Sequence, residues 1–169
     1  LLMHDSSCAH LSECSASNCG YNGVRVEGKG CKATLEHSHV DENGYTNFWV
    51  DHEAHAWLDH TTSNGSKKGD GWYVRGSATF QDSQACQNAE DGAAAYFGGS
   101  ITLLRSSCLE NGKNGWMATR SGVLLAQGSQ SMDNKLHNVL ECNGRITLCG
   151  TCNLGGQGVQ TLQPLPRRL

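Results

Sequence analysis

Leu103-Leu104-Arg105-Ser106-Ser107, followed after a loop by Trp116-Met117-Ala118-Thr119-Arg120-Ser121-Gly122, is the stretch on which the reading of this chain turns. Its second run alternates between faces, the period of a strand with one side buried. Thr34-Leu35-Glu36-His37 alternates in the same way, and segments of β character cover 33–40, 45–58, 71–80, 99–106, 116–125 and 145–148. Six Asn-Gly dipeptides lie among them, at Asn22, Asn43, Asn64, Asn111, Asn114 and Asn143. Asn-Gly accepts the two positive φ angles of a type I′ turn, so each reads as a hairpin signal. The first three stand 21 residues apart, which suggests consecutive up-and-down hairpins, although no shared sequence makes them a repeat. Within 82–97, Ala93-Ala94-Ala95 favours a helix and Asp91-Gly92 a turn between two strands; we read a hairpin. Pro164 and Pro166 are the only prolines, so nothing upstream forbids long paired strands.

The chain has 169 residues, 37% hydrophobic and 17% charged, with 21 glycines. That length suits one domain, and the low charge and many glycines argue against a helical bundle. No apolar run approaches the roughly 18 residues of a membrane-spanning helix, so no membrane partner is expected. The opening Leu1-Leu2-Met3-His4-Asp5 turns polar too soon for a signal peptide, so a secreted protein would already have lost that segment. A formal net charge of −3 gives no broad basic field, and nucleic acid is not an expected partner. Nine cysteines suit an oxidising compartment, which places the protein outside the cell. An odd number leaves at least one unpaired within the chain. Structural zinc is the competing account, because Cys149-Gly-Thr-Cys152 has metal-ligand spacing, but no second such pair exists.

The two runs that open this section closely resemble the last two strands of the avidin family, secreted eight-stranded up-and-down barrels that bind biotin. Cys19-Gly-Tyr-Asn-Gly23 is similar to the opening of that family's first strand, and Cys86, followed by Gly92, to its second cysteine and hairpin. The resemblance implies an all-β antiparallel barrel with a Cys19–Cys86 disulfide. It covers 19–128, leaving an N-terminal extension over 1–18 and a cysteine-bearing C-terminal extension and tail over 129–169.

The family's pocket, carried over residue by residue, implies a ligand site. Trp72 and Trp116 become aromatic walls, Trp116 across a subunit interface, so that a homo-oligomer (dimer or tetramer) is expected. Ser77 and Thr79, two apart on a strand, present hydroxyls to one side, and Leu104 supplies an apolar contact. The departures are several. The family's urea-reading asparagine, serine and tyrosine fall on Glu27, Cys31 and Val50, its next threonine on His52, its tryptophan before the first run on Thr102, and a late asparagine on Leu124. Losing partners of a buried urea costs about 1–3 kcal/mol each. Biotin is therefore a possible ligand held weakly or not at all, and no cofactor is implied.

Histidines cluster at His37, His39, His52, His55 and His60, and His-x-His on a strand puts both rings on one face. Solvent-facing histidines explain the cluster as well, and His52-Glu53-Ala54-His55 is one residue short of a helical metalloprotease motif, so no metal is assigned. No nucleophile–base pair or carboxylate pair stands out, and no catalytic residue is named. The sequon Asn64-Gly65-Ser66 is a candidate glycosylation site. The expectation is a secreted small-molecule-binding barrel, with a structural module crosslinked through extra cysteines as the alternative.

Overall fold

A computed structural model of the chain describes residues 1–4, 6–157 and 159–162. Every one of its strand ladders is parallel. The chain winds as a β-solenoid of about seven turns, with no helix among the described residues. Strands are numbered in chain order. Sheet A is formed by β1 (Leu2–Met3), β3 (Val24–Val26), β5 (Phe48–Val50), β7 (Trp72–Val74), β9 (Ala93–Ala95), β12 (Asn114–Thr119), β15 (His137–Cys142) and β17 (Gln160–Leu162). Sheet B is formed by β2 (Cys8–Ser12), β4 (Lys32–Glu36), β6 (His55–Asp59), β8 (Ser77–Gln81), β10 (Ser100–Leu104), β13 (Val123–Gln127) and β16 (Arg145–Cys149). A third side holds β11 (Ser107–Leu109) against β14 (Gln130–Met132), extended by single bridges at Ser15, His39, Thr62 and Gln84.

The repeat follows from the pairing. Lys32, His55, Ser77, Ser100, Val123 and Arg145 stand in one column, at steps of 23, 22, 23, 23 and 22 residues. Alternation within each short strand decides which residues form the core. Sheet A points Val24, Phe48, Trp72, Ala93, Trp116 and Val139 inward, and all are fully buried. Sheet B contributes Leu35, Leu58, Phe80, Leu103 and Ala126 from one inward column. Side-chain volumes compensate within a turn, as close packing demands. Trp72 stacks on Phe80 at 4.0 Å between centroids, whereas the small strand β9 shares its turn with Ile101 and Leu103.

Two corners of each turn close on a single left-handed residue. One column runs Glu13, His37, His60, Asp82, Arg105, Gly128 and Gly150; the other runs Asn18, Glu42, Gly65, Gln87, Glu110 and Asp133, all at positive φ. Behind the first corner a ladder of hydroxyls satisfies buried backbone. The N–H groups of Thr61, Ser83 and Ser106 donate to Ser83, Ser106 and Ser129 Oγ, each at 3.1 Å. At the second corner the N–H groups of Ser66, Asn88 and Asn111 donate to the Oδ1 atoms of Asn88, Asn111 and Asn134 at 2.9–3.0 Å. A buried amide without such a partner would cost about 1–3 kcal/mol.

These facts overturn the barrel. The strands are parallel and the interior is filled by side chains, so the antiparallel avidin-like barrel does not describe this chain. All nine cysteines are free thiols, and Cys19 and Cys86 stand three turns apart, about 14 Å at the spacing of paired strands, too far for a disulfide. None of the six Asn-Gly dipeptides has both residues at positive φ, as a type I′ turn requires. Asp91-Gly92 makes no hairpin. Its glycine is required because an added Cβ would lie 2.6 Å from Cys108 Cβ inside the turn. Leu103 to Ser107, which carried the family resemblance, is one rung of the solenoid: an inward leucine, an outward leucine, a left-handed corner and a ladder serine.

Candidate functional site

A filled core leaves the outer faces to carry ligands, and sheet A has the more elaborate one. Its central outward column reads Arg25, Trp49, Tyr73, Ala94, Met117 and Leu140. Rings one turn apart meet face to face, so Trp49 stacks on Tyr73 at 4.1 Å. Ala94 is too small to continue the pile, and Tyr96, two residues on, lies over it and stacks on Tyr73 at 4.6 Å. The pile is capped by cations: Arg25 lies 5.2 Å over Trp49, and Arg75 and Arg120 lie 5.1 and 4.5 Å from the Phe97 ring.

Beside the rings runs a polar column, Asp70, Asp91, Asn114 and His137. Asp91 N–H donates to Asp70 Oδ1 at 2.9 Å, and Asn114 donates to Asp91 Oδ1 from both its backbone N–H (2.9 Å) and Nδ2 (2.8 Å). Asn114 Oδ1 in turn meets His137 Nδ1 at 2.9 Å. Burial, and then the adjacent Asp91 charge, push the Asp70 carboxyl well above the ordinary range. Asp91 is raised by burial too, against the opposing hydrogen bonds from Asn114. Burial also raises the phenols of Tyr73 and Tyr96.

Between rings and polar column opens a groove of about 440 Å³, lined by Tyr96, Phe97, Lys113, Asn114, Met117 and Arg120, with Asp91 and Tyr73 at its wall. Lys113 Nζ is held 2.7 Å from Glu90 Oε1. The groove thus offers the Tyr96 ring, the Thr119 hydroxyl and two cationic side chains within one concavity, with the buried, mutually bonded Asp91–Asn114 pair in its wall.

The residues singled out in the sequence lie elsewhere and apart. Trp72, Trp116 and Cys31 are fully buried in the core. Ser77 and Thr79 do share a face, the outer side of sheet B, beside His55 and Trp57. Leu104 lies on the same outer side, on the strand next to theirs. His52 is in an exposed turn with Nδ1 3.1 Å from Asp51 Oδ1. Asn64 Oδ1 accepts the Cys86 N–H at 2.8 Å, and Ser66 of the same sequon is buried. The histidines spread over corner, bridge and strand. Among the described residues Asp59, His60 and Asp82 bring ligand atoms together, but Asp82 is gripped by Arg105 through two bonds of 2.8 and 2.7 Å, which also holds its carboxyl below the usual range. An apolar opening of about 410 Å³ lies at the β1–β2 edge, lined by core residues Leu11, Val24, Leu35 and Val40 with Cys14 and Cys19.

The groove residues were not flagged from sequence. Their signal was the period: Asp70, Asp91, Asn114 and His137 recur at steps of 21, 23 and 23 residues, visible only once the turn length is known. Chain and fold together define a three-sided parallel β-solenoid. No family model, curated protein or solved structure matches the chain.

Proposed function

We propose that this chain is a binding module that holds a saccharide in the sheet A groove. The observation that carries the reading is the stacked Tyr73–Tyr96 pair set beside Asp91, Asn114, Lys113 and Arg120. A sugar ring has apolar C–H faces that pack on aromatic rings, and hydroxyls that both donate and accept. The Tyr96 ring, the Thr119 hydroxyl, which donates and accepts, and the Lys113 and Arg120 cations around it meet both needs. The groove is open enough for a chain to pass through it, and its volume suits a few sugar units.

The test is an oligosaccharide array followed by titration of the best binder. Tyr96→Ala is expected to weaken binding at least tenfold, about 1.4 kcal/mol, with circular dichroism confirming that the variant is folded. No binder, or equal binding by the variant, defeats the reading, and a bound oligosaccharide recovered shorter by mass spectrometry would replace binding with catalysis. A second reading, end-to-end assembly of copies, is favoured by the apolar opening at the β1–β2 edge with its two thiols. It requires oligomers that grow with concentration, and a monomer at every concentration excludes it.

A further inference from the structure

The outer face of sheet B carries one residue out of character. Its central column reads His10, Thr34, Trp57, Thr79, Thr102, Leu125 and Thr147, and Trp57 stands 53% exposed within that row, between two threonines. The other three tryptophans are placed differently: Trp72 and Trp116 are fully buried, and Trp49 is half-buried between Arg25 and Tyr73. An indole left in water on an inner strand of the sheet presents a wide apolar ring face, with a polar N–H at its edge, to anything that docks there.

What surrounds it specifies what docks. Thr34 and Thr79 flank the indole on the neighbouring strands, and Ser77 stands one column over. These are hydroxyls, not the apolar side chains that ring a protein hot spot. The few charges around the row are of both signs, Lys32 on one side and Glu36 and Asp59 on the other, so neither a polyanion nor a polycation is favoured. Strands 4.8 Å apart and five residues long make this patch about 10 Å by 13 Å, the footprint of an oligosaccharide rather than of one sugar. A shallow depression of about 250 Å³ beside Trp57 is lined by Lys32, Thr34, His55, Ser77 and Thr79.

We infer that this face is a second binding site, for an extended uncharged polysaccharide whose ring faces stack on Trp57 while its hydroxyls bond to the threonine and serine side chains. It is independent of the sheet A groove, which lies on another side of the solenoid. The experiment titrates the full chain with cellohexaose, chitohexaose and maltohexaose, following tryptophan fluorescence and heat of binding. At least one is expected to bind and to shift the indole emission. Trp57→Ala is expected to weaken that binding at least tenfold, Trp57→Phe to restore part of it, and Tyr96→Ala to leave it unchanged. Circular dichroism confirms that the variants are folded, which the exposure of Trp57 favours. Binding by none of the three sugars, or undiminished binding by Trp57→Ala, overturns the inference. Binding lost in Tyr96→Ala but kept in Trp57→Ala overturns it too, and assigns the sugar to the groove.

Discussion

The outer faces of sheets A and B rest on the same kind of inward ladder yet have opposite characters. On sheet A the outward side chains are piled and bonded to one another, from Arg25 over Trp49 to Tyr73 and Tyr96, with Asp70 and Asp91 sealed beneath. On sheet B they stand singly, hydroxyl, charged and a few aliphatic side chains around one bare indole. The difference teaches that the inward positions alone carry the winding. Exposed outward positions carry only a small stability cost for change, which frees such a side to specialise.

That contrast is tested most severely by two adjacent leucines. Leu103 points into the core and Leu104 outward from the same strand. Leu103→Ala is expected to cost about 2–5 kcal/mol in chemical denaturation. Leu104→Ala should cost about 0.5 kcal/mol or less, and equal losses would refute the assigned faces. Next in size is the amide ladder at the second corner. Asn111 Oδ1 accepts the Asn88 N–H at 3.0 Å and its Nδ2 donates to Ala85 O at 3.0 Å, so Asn111→Ala strands two backbone groups of the preceding turn. A loss of about 1–3 kcal/mol for each orphaned group is expected, again by denaturation.

The smallest effect belongs to the sealed carboxylates of sheet A. Burial and the Asp91 charge raise the Asp70 pKa above its unfolded value, so the native state binds this proton more tightly than the unfolded chain does. Stability is then highest below the ordinary carboxylate pKa of about 3.9 and is lost as pH rises toward the raised value. Asp70→Asn keeps an oxygen to accept the Asp91 N–H and removes the charge. It should raise Tm by a few degrees at about pH 7, with the gain vanishing near pH 3.5. Differential scanning calorimetry across that range checks it; a gain that persists in acid would mean the charge was not the cause.

Much of the local structure was legible in the sequence. The alternation in Thr34-Leu35-Glu36-His37 marks a real strand, and the all-β character follows from it. The direction of pairing was not legible there, because a half-buried strand looks alike in parallel and antiparallel sheets. Asn-Gly misled for a physical reason. Asn22, Asn43 and Asn64 are evenly spaced, but at 21 residues, short of the turn length, so they fall at three different points of successive turns. The informative period lay in Leu35-Glu36-His37-Ser38, Leu58-Asp59-His60-Thr61, Phe80-Gln81-Asp82-Ser83 and Leu103-Leu104-Arg105-Ser106, an apolar residue, two variable ones and a hydroxyl. Chemistry at the corner hid it, since residues as unlike as His60, Asp82 and Arg105 share one left-handed conformation. The groove was invisible for a related cause: Tyr73 and Lys113 are forty residues apart and become neighbours only through the winding.

The serine, threonine and asparagine ladders have a consequence for how such a molecule can change. Rungs bond chiefly to the rung before and the rung after, so cohesion is largely a sum of nearest-neighbour couplings and has no central keystone. Whole coils can then be inserted or excised with every ladder rejoined, while a fraction of a coil turns each downstream side chain to the wrong side. Reach, and the number of copies of a flank pattern displayed along it, become quantities adjustable in steps of some 23 residues.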